Sequence, residues 1–257
     1  MSLVVEGLSK SYGGLAAVEG VSFTARPGQV TAVIGPNGAG KTTLLNLISG
    51  VVAADAGNVR LYDQDLTGAL PHNVALAGLT RTFQSPQLFD GMTVLETVMV
   101  GAHIKARTGF LGALLRGPHV VREEETLERF AREALDRVGV PQPEFDRIAL
   151  DLPYGLQRRV EIARAMAMGA KALLLDEPAA GLNGTEVDDI ANLIDAVSHD
   201  GTIVVLVEHK MDMVMRISDH IVVMNFGRKI AEGSPEDVQR DNQVIEAYLG
   251  TPETVDA

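Results

Sequence analysis

The sequence predicts an α/β fold with a mostly parallel sheet, N-terminal antiparallel β strands and an inserted α-helical subdomain. Four apolar runs, at residues 30–34, 172–175, 203–207 and 221–224, predict the parallel strands because they lack the polar alternation of a half-exposed sheet. Between the second and third runs, residues 186–198 carry apolar side chains at helical spacing, which predicts a β-α-β crossover.

The N-terminal segment and the middle of the chain complete the predicted fold. Residues 2–8 and 21–24 are predicted to form the short antiparallel strands. Residues 85–150 contain no comparable runs and are rich in helix formers, most of all at 122–138, so they predict the helical subdomain. An apolar stretch at 108–118 is expected to be an internal helix, and a membrane-surface contact is the less favoured alternative.

The domain organisation follows from this order of elements. We expect one domain over residues 1–257, in which 1–84 and 158–257 form the core and 85–157 form the inserted lobe. A chain of 257 residues is long enough for a large core with a smaller inserted lobe.

Composition and charge restrict the possible classes of function. The chain has 46% hydrophobic and 22% charged residues, which is typical of a folded globular protein. Its 22 Lys and Arg against 34 Asp and Glu give a formal net charge of −12, so no nucleic acid partner is expected. The absence of cysteine excludes disulfides and thiolate metal sites. No apolar run approaches the roughly 20 residues that span a bilayer, so we expect a cytosolic chain that relies on other subunits for any membrane-spanning helices.

A glycine-rich stretch between the first buried run and the next helical pattern satisfies the pattern G-x-x-x-x-G-K-[ST]. It comprises Gly35, Pro36, Asn37, Gly38, Ala39, Gly40, Lys41, Thr42 and Thr43. Its backbone N–H groups and the positive end of the helix dipole suit a bound phosphate, which predicts the core of a P-loop NTPase. We expect Lys41 to reach the β- and γ-phosphates of ATP, Thr42 to coordinate Mg²⁺ and Thr43 to contact the α-phosphate.

Polar residues follow two of the other buried runs, where ligands bind in open α/β sheets. Asp176 and Glu177 end the run at 172–175. Asp176 is expected to hold the Mg²⁺ shell, and Glu177 is expected to act as general base on the attacking water. His209 follows the run at 203–207, so we expect it beside Glu177, where it would bind the γ-phosphate or orient the water; a purely structural histidine is the alternative.

Two further residues are weaker candidates. Gln84 lies where the core gives way to the lobe, and its amide could touch both Mg²⁺ and the attacking water while its backbone moves with the lobe. The Tyr12 ring could stack on adenine, although simple packing is common for an isolated tyrosine.

With these residues in this order, the chain resembles the ATP-binding subunits of ABC transporters over essentially its whole length. The stretch LPYGLQRR at 152–159, here called the signature segment, stands where that family has a Leu-Ser-Gly-Gly-Gln element opening a helix. The resemblance implies that two ATPase subunits pair head to tail, so that Gly155 of one faces the ATP of the other. It also implies two membrane-spanning permease subunits, an indirect substrate-binding protein and a peripheral place on the cytoplasmic face of the membrane.

Finer similarity is to the ATPases of branched-chain amino-acid importers. It rests on Tyr154 and on residues 135–140, 157–164, 176–183 and 244–250. Importers of urea or other amides use very similar subunits, so the transported substrate stays open at this point.

The signature segment also departs from the family pattern. Pro153 replaces a serine and removes both a hydroxyl and an N–H that could meet the partner's γ-phosphate. Leu156 replaces a glutamine, for which Gln157 is the nearest substitute, and Asn183 replaces an aspartate in the loop after Glu177. These departures leave the ATPase rate, and the choice between a homodimer and a related heterodimer, undetermined by the sequence.

Three alternatives remain. The ATPase of lipopolysaccharide export resembles the same subgroup, although the alanine-rich loop at 179–183 disfavours it. A low-turnover nucleotide-binding subunit of a heterodimer would explain the altered signature segment. Soluble relatives in translation or DNA repair are disfavoured because this chain has one cassette, no long coiled coil and an acidic charge balance.

Overall fold

The computed structural model describes residues 1–105 and 118–249, and within these ranges the chain forms two sheets and a set of helices around them. The strands are β1 Leu3–Tyr12, β2 Leu15–Ala25, β3 Val30–Ile34, β4 Ala56–Leu61, β5 Gln64–Asp65, β6 Leu79–Arg81, β7 Ala172–Asp176, β8 Ile203–Val207, β9 His220–Asn225 and β10 Arg228–Gly233. The α-helices are α1 Lys41–Ile48, α2 Pro71–Ala77, α3 Val94–Ala102, α4 Pro118–Arg137, α5 Tyr154–Ala167, α6 Gly184–His199, α7 Met211–Ile217, α8 Pro235–Arg240 and α9 Asn242–Leu249.

The larger sheet has six strands in the order β10-β9-β3-β8-β7-β6. Strands β9, β3, β8, β7 and β6 are parallel to their neighbours, and only β10 pairs antiparallel at the edge. The predicted fold class is therefore confirmed. Because these strands run the same way, the carboxyl ends of β3, β7 and β8 meet at one edge of the sheet, where the predicted site residues begin.

Burial on both faces explains the unbroken apolar runs of the sequence. Every residue of β3, β7 and β8 is buried. In β7, Leu173 and Leu175 join an apolar cluster shared with the helices α3 to α6, whereas Ala172 and Leu174 join a second cluster shared with α1 and the smaller sheet. A strand that contributes to two cores cannot alternate polar and apolar residues.

The smaller sheet is antiparallel, in the order β2-β1-β4-β5. Strands β1 and β2 are longer than the predicted segments at 2–8 and 21–24. The patterns do not predict β4, β5, β6 and β10. Strands β5 and β6 have only two and three residues, and β10 is an edge strand in which exposed, charged side chains hide the alternation.

Helices dominate the described part of residues 85–157, which includes only one isolated β-bridge, between Thr93 and Ile148. Helix α3 begins with a capping box in which Thr93 and Glu96 exchange side-chain and backbone hydrogen bonds. Helix α5 continues across the expected boundary between residues 157 and 158, so the limits of the lobe remain a prediction. The apolar stretch predicted at 108–118 lies outside the described residues except for Pro118, where α4 begins. None of the described helices combines the length and apolarity needed to cross a membrane.

Candidate nucleotide site

The glycine-rich loop joins β3 to α1, as its pattern predicts. At Gly35 an added Cβ would lie 2.1 Å from the Met224 carbonyl oxygen, and at Gly40 it would lie 2.3 Å from that of Ala17. Gly40 caps α1 with a positive φ of 98°, a conformation that other residues rarely adopt. The two glycines are therefore required both by close backbone contacts and by backbone conformation.

Lys41 begins α1 and points back into the loop. Its Nζ donates hydrogen bonds to the carbonyl oxygens of Gly35, at 2.8 Å, and Pro36, at 2.9 Å. Burial lowers the pKa of Lys41, while the negative charges of Glu177 and Asp176 act in the opposite direction. The loop thus holds a cationic side chain on its own carbonyls, within the electrostatic influence of the two acids at the end of β7.

A cavity of about 420 Å³ opens in front of this loop. It is lined by eight predicted site residues together with five apolar or aromatic neighbours. These are Asn37, Gly38, Gly40, Lys41, Thr42, Thr43, Glu177 and His209, with Leu15, Ala16, Ala17, Ala39 and Phe226. The structure therefore brings most of the predicted phosphate-binding and catalytic residues to a single concave surface.

Glu177 lies at the centre of this group, directly after β7. His209 Nε2 is 2.9 Å from Glu177 Oε1, and Gln84 Nε2 donates to Glu177 Oε2 at 2.9 Å. The expected position of His209 beside Glu177 is confirmed. Glu177 has a positive φ of 48°, and its N–H donates to the Val207 carbonyl of β8 at 2.8 Å. A strained backbone held at a strand end, with both carboxylate oxygens oriented, is typical of a residue placed for chemistry rather than for stability.

Asp176, the last residue of β7, is held by a buried arginine. Arg81 Nη2 lies 2.7 Å from Asp176 Oδ2, and the two side chains are only 6% and 5% exposed. The other end of the guanidinium donates from Nη1 to Asn46 Oδ1 of α1 at 2.6 Å. Arg81 therefore balances the charge of Asp176 and orients it relative to the helix that follows the phosphate loop.

Arg81 and Glu208 are site residues that the sequence reasoning missed. Glu208 is buried and accepts hydrogen bonds from the backbone N–H of Ala179, at 2.8 Å, and of His209, at 2.7 Å. It thereby ties the loop after Glu177 to the turn that carries His209. For Glu208 the sequence offered a signal, because a charged residue directly after a buried apolar strand is itself expected to be buried and to need a partner.

The chemistry of the polar groups fits Mg²⁺. Among the described residues, no group of three or more His, Asp or Glu side chains forms a metal cage. Thr42, Gln84 and Asp176 offer a hydroxyl, an amide and a carboxylate oxygen, the hard ligands that Mg²⁺ prefers. Such a sparse set suits an ion that keeps several waters and takes its other ligands from bound phosphate.

Comparison with known proteins identifies the family. The sequence profile of a family described as ABC transporter matches residues 18–180, which is more than half of the chain. The chain belongs to the ABC transporter family. A second profile, described as branched-chain amino acid ATP-binding cassette transporter, matches residues 228–254.

Individual members of the ABC family match over nearly the full length. The chain is 44% identical, over 96% of its own length and 97% of the relative's, to the high-affinity branched-chain amino acid transport ATP-binding protein BraF of Pseudomonas aeruginosa. It is 43% identical, with the same coverage, to the corresponding protein LivG of Escherichia coli K12. A solved ATP-binding cassette of an ABC transporter in its ADP conformation superposes with a TM-score of 0.83 at 36% identity, covering 98% of this chain and all of that one.

Five predicted residues of the ABC family site lie outside the cavity lining: Gly35, Gln84 and Asp176, described above, and Tyr12 and Gly155. Tyr12 is half exposed at the end of β1 and pairs with Leu15, which does line the cavity. Gly155 lies in the first turn of α5, where an added Cβ would be 3.0 Å from Glu186 Oε1. Tyr12 thus lies at the edge of this cavity, whereas Gly155 faces the start of α6.

The departures from the ABC family pattern have local structural explanations. Pro153 occupies the N-cap of α5, where no side chain caps the helix. Gln157, the nearest substitute for the missing glutamine, instead donates its amide to the carbonyls of Leu150, at 3.0 Å, and Leu152, at 2.9 Å. Asn183 caps α6, accepting from the Glu186 N–H at 3.1 Å, so this departure preserves a helix cap.

Proposed function

We propose that this chain is the ATP-binding and ATP-hydrolysing subunit of an ABC importer for branched-chain amino acids or a similar small amino acid or amide. One observation carries the proposal: Glu177 is oriented by Gln84 and His209 at the mouth of a complete phosphate loop. The names of the relatives at 43% and 44% identity support the substrate class.

In this proposal the phosphate loop and Lys41 bind the β- and γ-phosphates, Thr43 contacts the α-phosphate, and Tyr12 stacks on the adenine. Mg²⁺, held by Thr42, Gln84 and Asp176, would supply charge neutralisation on the phosphate oxygens. Arg81 pairs with Asp176 and orients it for that role.

Hydrolysis then requires an oriented and activated water. Glu177 accepts its proton as the water oxygen attacks the γ-phosphorus, and the bond from that phosphorus to the bridging oxygen breaks, giving ADP and phosphate. His209 and Gln84 hold the Glu177 carboxylate in position. For the 2.9 Å contact to be a hydrogen bond to a carboxylate, His209 carries its proton on Nε2.

The partners in the proposal are those of an importer. A second ATPase subunit, identical or related, would face Gly155, which lies outside the cavity of its own chain. Two permease subunits would supply the membrane passage, with a substrate-binding protein acting indirectly, and the chain would bind peripherally at the cytoplasmic face. No nucleic acid partner is proposed, in keeping with the net charge of −12.

Single-turnover hydrolysis of Mg-ATP by the purified chain tests the catalytic assignment. Glu177→Gln is expected to lower the rate by about 10²- to 10⁴-fold, the usual contribution of a positioned general base, while ATP binding persists. Asp188→Asn, which changes an exposed acid of α6, is the matched control and should retain the rate. An unchanged rate in Glu177→Gln would refute the general-base assignment.

The import assignment needs a separate test. The tagged chain, isolated from its own membranes, should bring down two multi-spanning subunits, and vesicles containing that assembly should take up leucine, isoleucine or valine when ATP is present. Uptake of urea or another amide would correct the substrate class. Recovery of a lipopolysaccharide-export complex or of ribosomes would refute the import assignment.

A further inference from the structure

Helix α5 carries a buried ion pair that no step of the proposed hydrolysis uses. Arg158 Nη1 lies 2.8 Å from Glu161 Oε2, and the side chains are 1% and 0% exposed. A buried pair of this kind contributes little net stability, because desolvation of the two charges offsets their attraction. Its remaining hydrogen bonds therefore indicate what the pair does.

Both members of the pair bind the backbone of the turn that carries Gln84. Arg158 Nη1 donates to the Phe83 carbonyl oxygen at 2.6 Å, and its Nη2 donates to the carbonyl oxygen of Gln84. Glu161 Oε1 accepts from the N–H of Phe83 at 3.1 Å. Three backbone polar groups of the turn are thus bound by two side chains of one helix.

Arg158 also reaches the catalytic side of the site and the start of its own helix. Its Nη2 lies 3.4 Å from the carbonyl oxygen of Glu177 and 3.5 Å from the Tyr154 hydroxyl. Tyr154 in turn lies over Gly181 in the loop after Glu177, where an added Cβ would be 3.3 Å from the ring. One guanidinium therefore touches the turn of Gln84, the backbone of Glu177 and the first residue of α5.

We infer that Arg158 and Glu161 are positioning residues that fix the turn of Gln84 to the helix carrying Gly155, so that the contact between Gln84 and Glu177 depends on the position of that helix. The inference rests on the proposed ATPase function, in which Gly155 faces the second subunit. A planar guanidinium suits this role because its fork binds several carbonyl oxygens at once. Movement of α5 would be transmitted to Gln84, and through it to the general base, without passing through the nucleotide.

The double variant Arg158→Met/Glu161→Met in the full chain is the principal test. It removes both buried charges together, so neither is left uncompensated, and the exposed turn at 83–84 can be hydrated. We expect the single-turnover rate to fall about 10- to 100-fold, as for a misplaced catalytic group, while the Kd for ATP stays within about threefold. Hydrogen exchange at the Phe83 amide should accelerate, because its acceptor is gone.

Arg158→Lys tests the shape of the arginine side chain, and Arg216→Met is the control for loss of an arginine elsewhere. Lysine keeps the positive charge of the pair but lacks the planar fork, so Arg158→Lys should also lower the rate. If the pair only stabilised the fold, Arg158→Lys would keep the wild-type rate. Arg216 of α7 instead pairs with the exposed Asp188 of α6, so Arg216→Met should hydrolyse ATP at the wild-type rate.

The outcomes separate this inference from the proposed function. A wild-type rate in the double variant, or unchanged exchange at the Phe83 amide, would overturn the inference and leave the ATPase assignment intact. If the double variant does not fold, a wild-type rate in Arg158→Lys would overturn it. Absence of hydrolysis by the wild-type chain would instead refute the proposed function, while the exchange measurement would still report on the hydrogen bond between Glu161 and Phe83.

Discussion

The two sides of the candidate site each contain a buried arginine–carboxylate pair, but the arginines bind different partners. On the core side, Arg81 pairs with Asp176 and donates to the side chain of Asn46. On helix α5, Arg158 pairs with Glu161 and donates to backbone carbonyls of residues 83–84. The first pair joins two elements of the same core layer, whereas the second joins a helix to an exposed turn.

This difference indicates that the two arginine–carboxylate pairs have different functions. A carboxylate held between β7 and α1 keeps a constant place relative to the phosphate loop, which suits a metal ligand. A pair that binds a turn through its backbone makes the position of that turn depend on the helix, which suits a connection between moving parts.

The core pair should be the more costly to break. Arg81→Met leaves Asp176 buried without a counter-charge, and we expect the free energy of unfolding to fall by about 3–5 kcal/mol, measured by urea denaturation. Arg81→Met/Asp176→Leu removes both charges and should recover most of that loss. Equal instability of the single and double variants would show that the pair does not account for the effect.

Breaking the pair of Arg158 and Glu161 on α5 should cost less and should depend on pH. Arg158→Met is expected to cost about 3 kcal/mol near pH 8, at the lower end because water reaches the turn at 83–84. Burial already raises the pKa of Glu161 above its usual value of 4.5, and Arg158 opposes this rise. In the variant the folded pKa is therefore higher still.

The sign of the pH effect follows from linkage. A carboxyl with a raised folded pKa stabilises the fold below its unfolded pKa, and that contribution is lost as the pH rises through the folded pKa. Both proteins share the unfolded pKa, so the unfolding free energy of Arg158→Met relative to wild type should fall between two folded pKa values of Glu161: that of the wild type, which already lies above 4.5, and the higher one of the variant. A difference that is constant over this range would contradict the burial argument, and Arg159→Met supplies the control for loss of an arginine from α5.

The smallest expected effect on stability concerns the N-termini of helices α5 and α6. Helix α6 begins with a capping box between Asn183 and Glu186, whereas α5 begins at Pro153 without a side-chain cap. Asn183→Ala should lower the free energy of unfolding by about 1 kcal/mol, and Asn183→Asp should not, because aspartate caps equally well. Thermal unfolding of the three proteins checks this, and equal losses in both variants would show that the amide itself is required.

The sequence predicts a strand correctly where a local run of residues determines it. It misses a strand that forms only because it pairs with a strand distant in the chain. Strands β3 and β8 match their predicted limits because both faces of each are buried, which leaves an unbroken apolar run. Strand β4 was missed because Val59 and Leu61 are its only buried residues, too few to form an apolar run, and it becomes a strand by pairing with β1. Strand β6 has three residues and likewise depends on its neighbour β7.

For the site, local sequence patterns identify the groups that lie close along the chain. The phosphate loop is a local motif whose glycines, Lys41 and Thr42 act through one strand–loop–helix unit, and the acids at 176–177 follow a recognisable buried strand. The tertiary structure decided the contacts between distant segments, such as Arg81 with Asp176 and Arg158 with the turn of Gln84. Those contacts join residues 74 to 95 positions apart. The local sequence pattern around a buried charge does not indicate which distant residue is its partner.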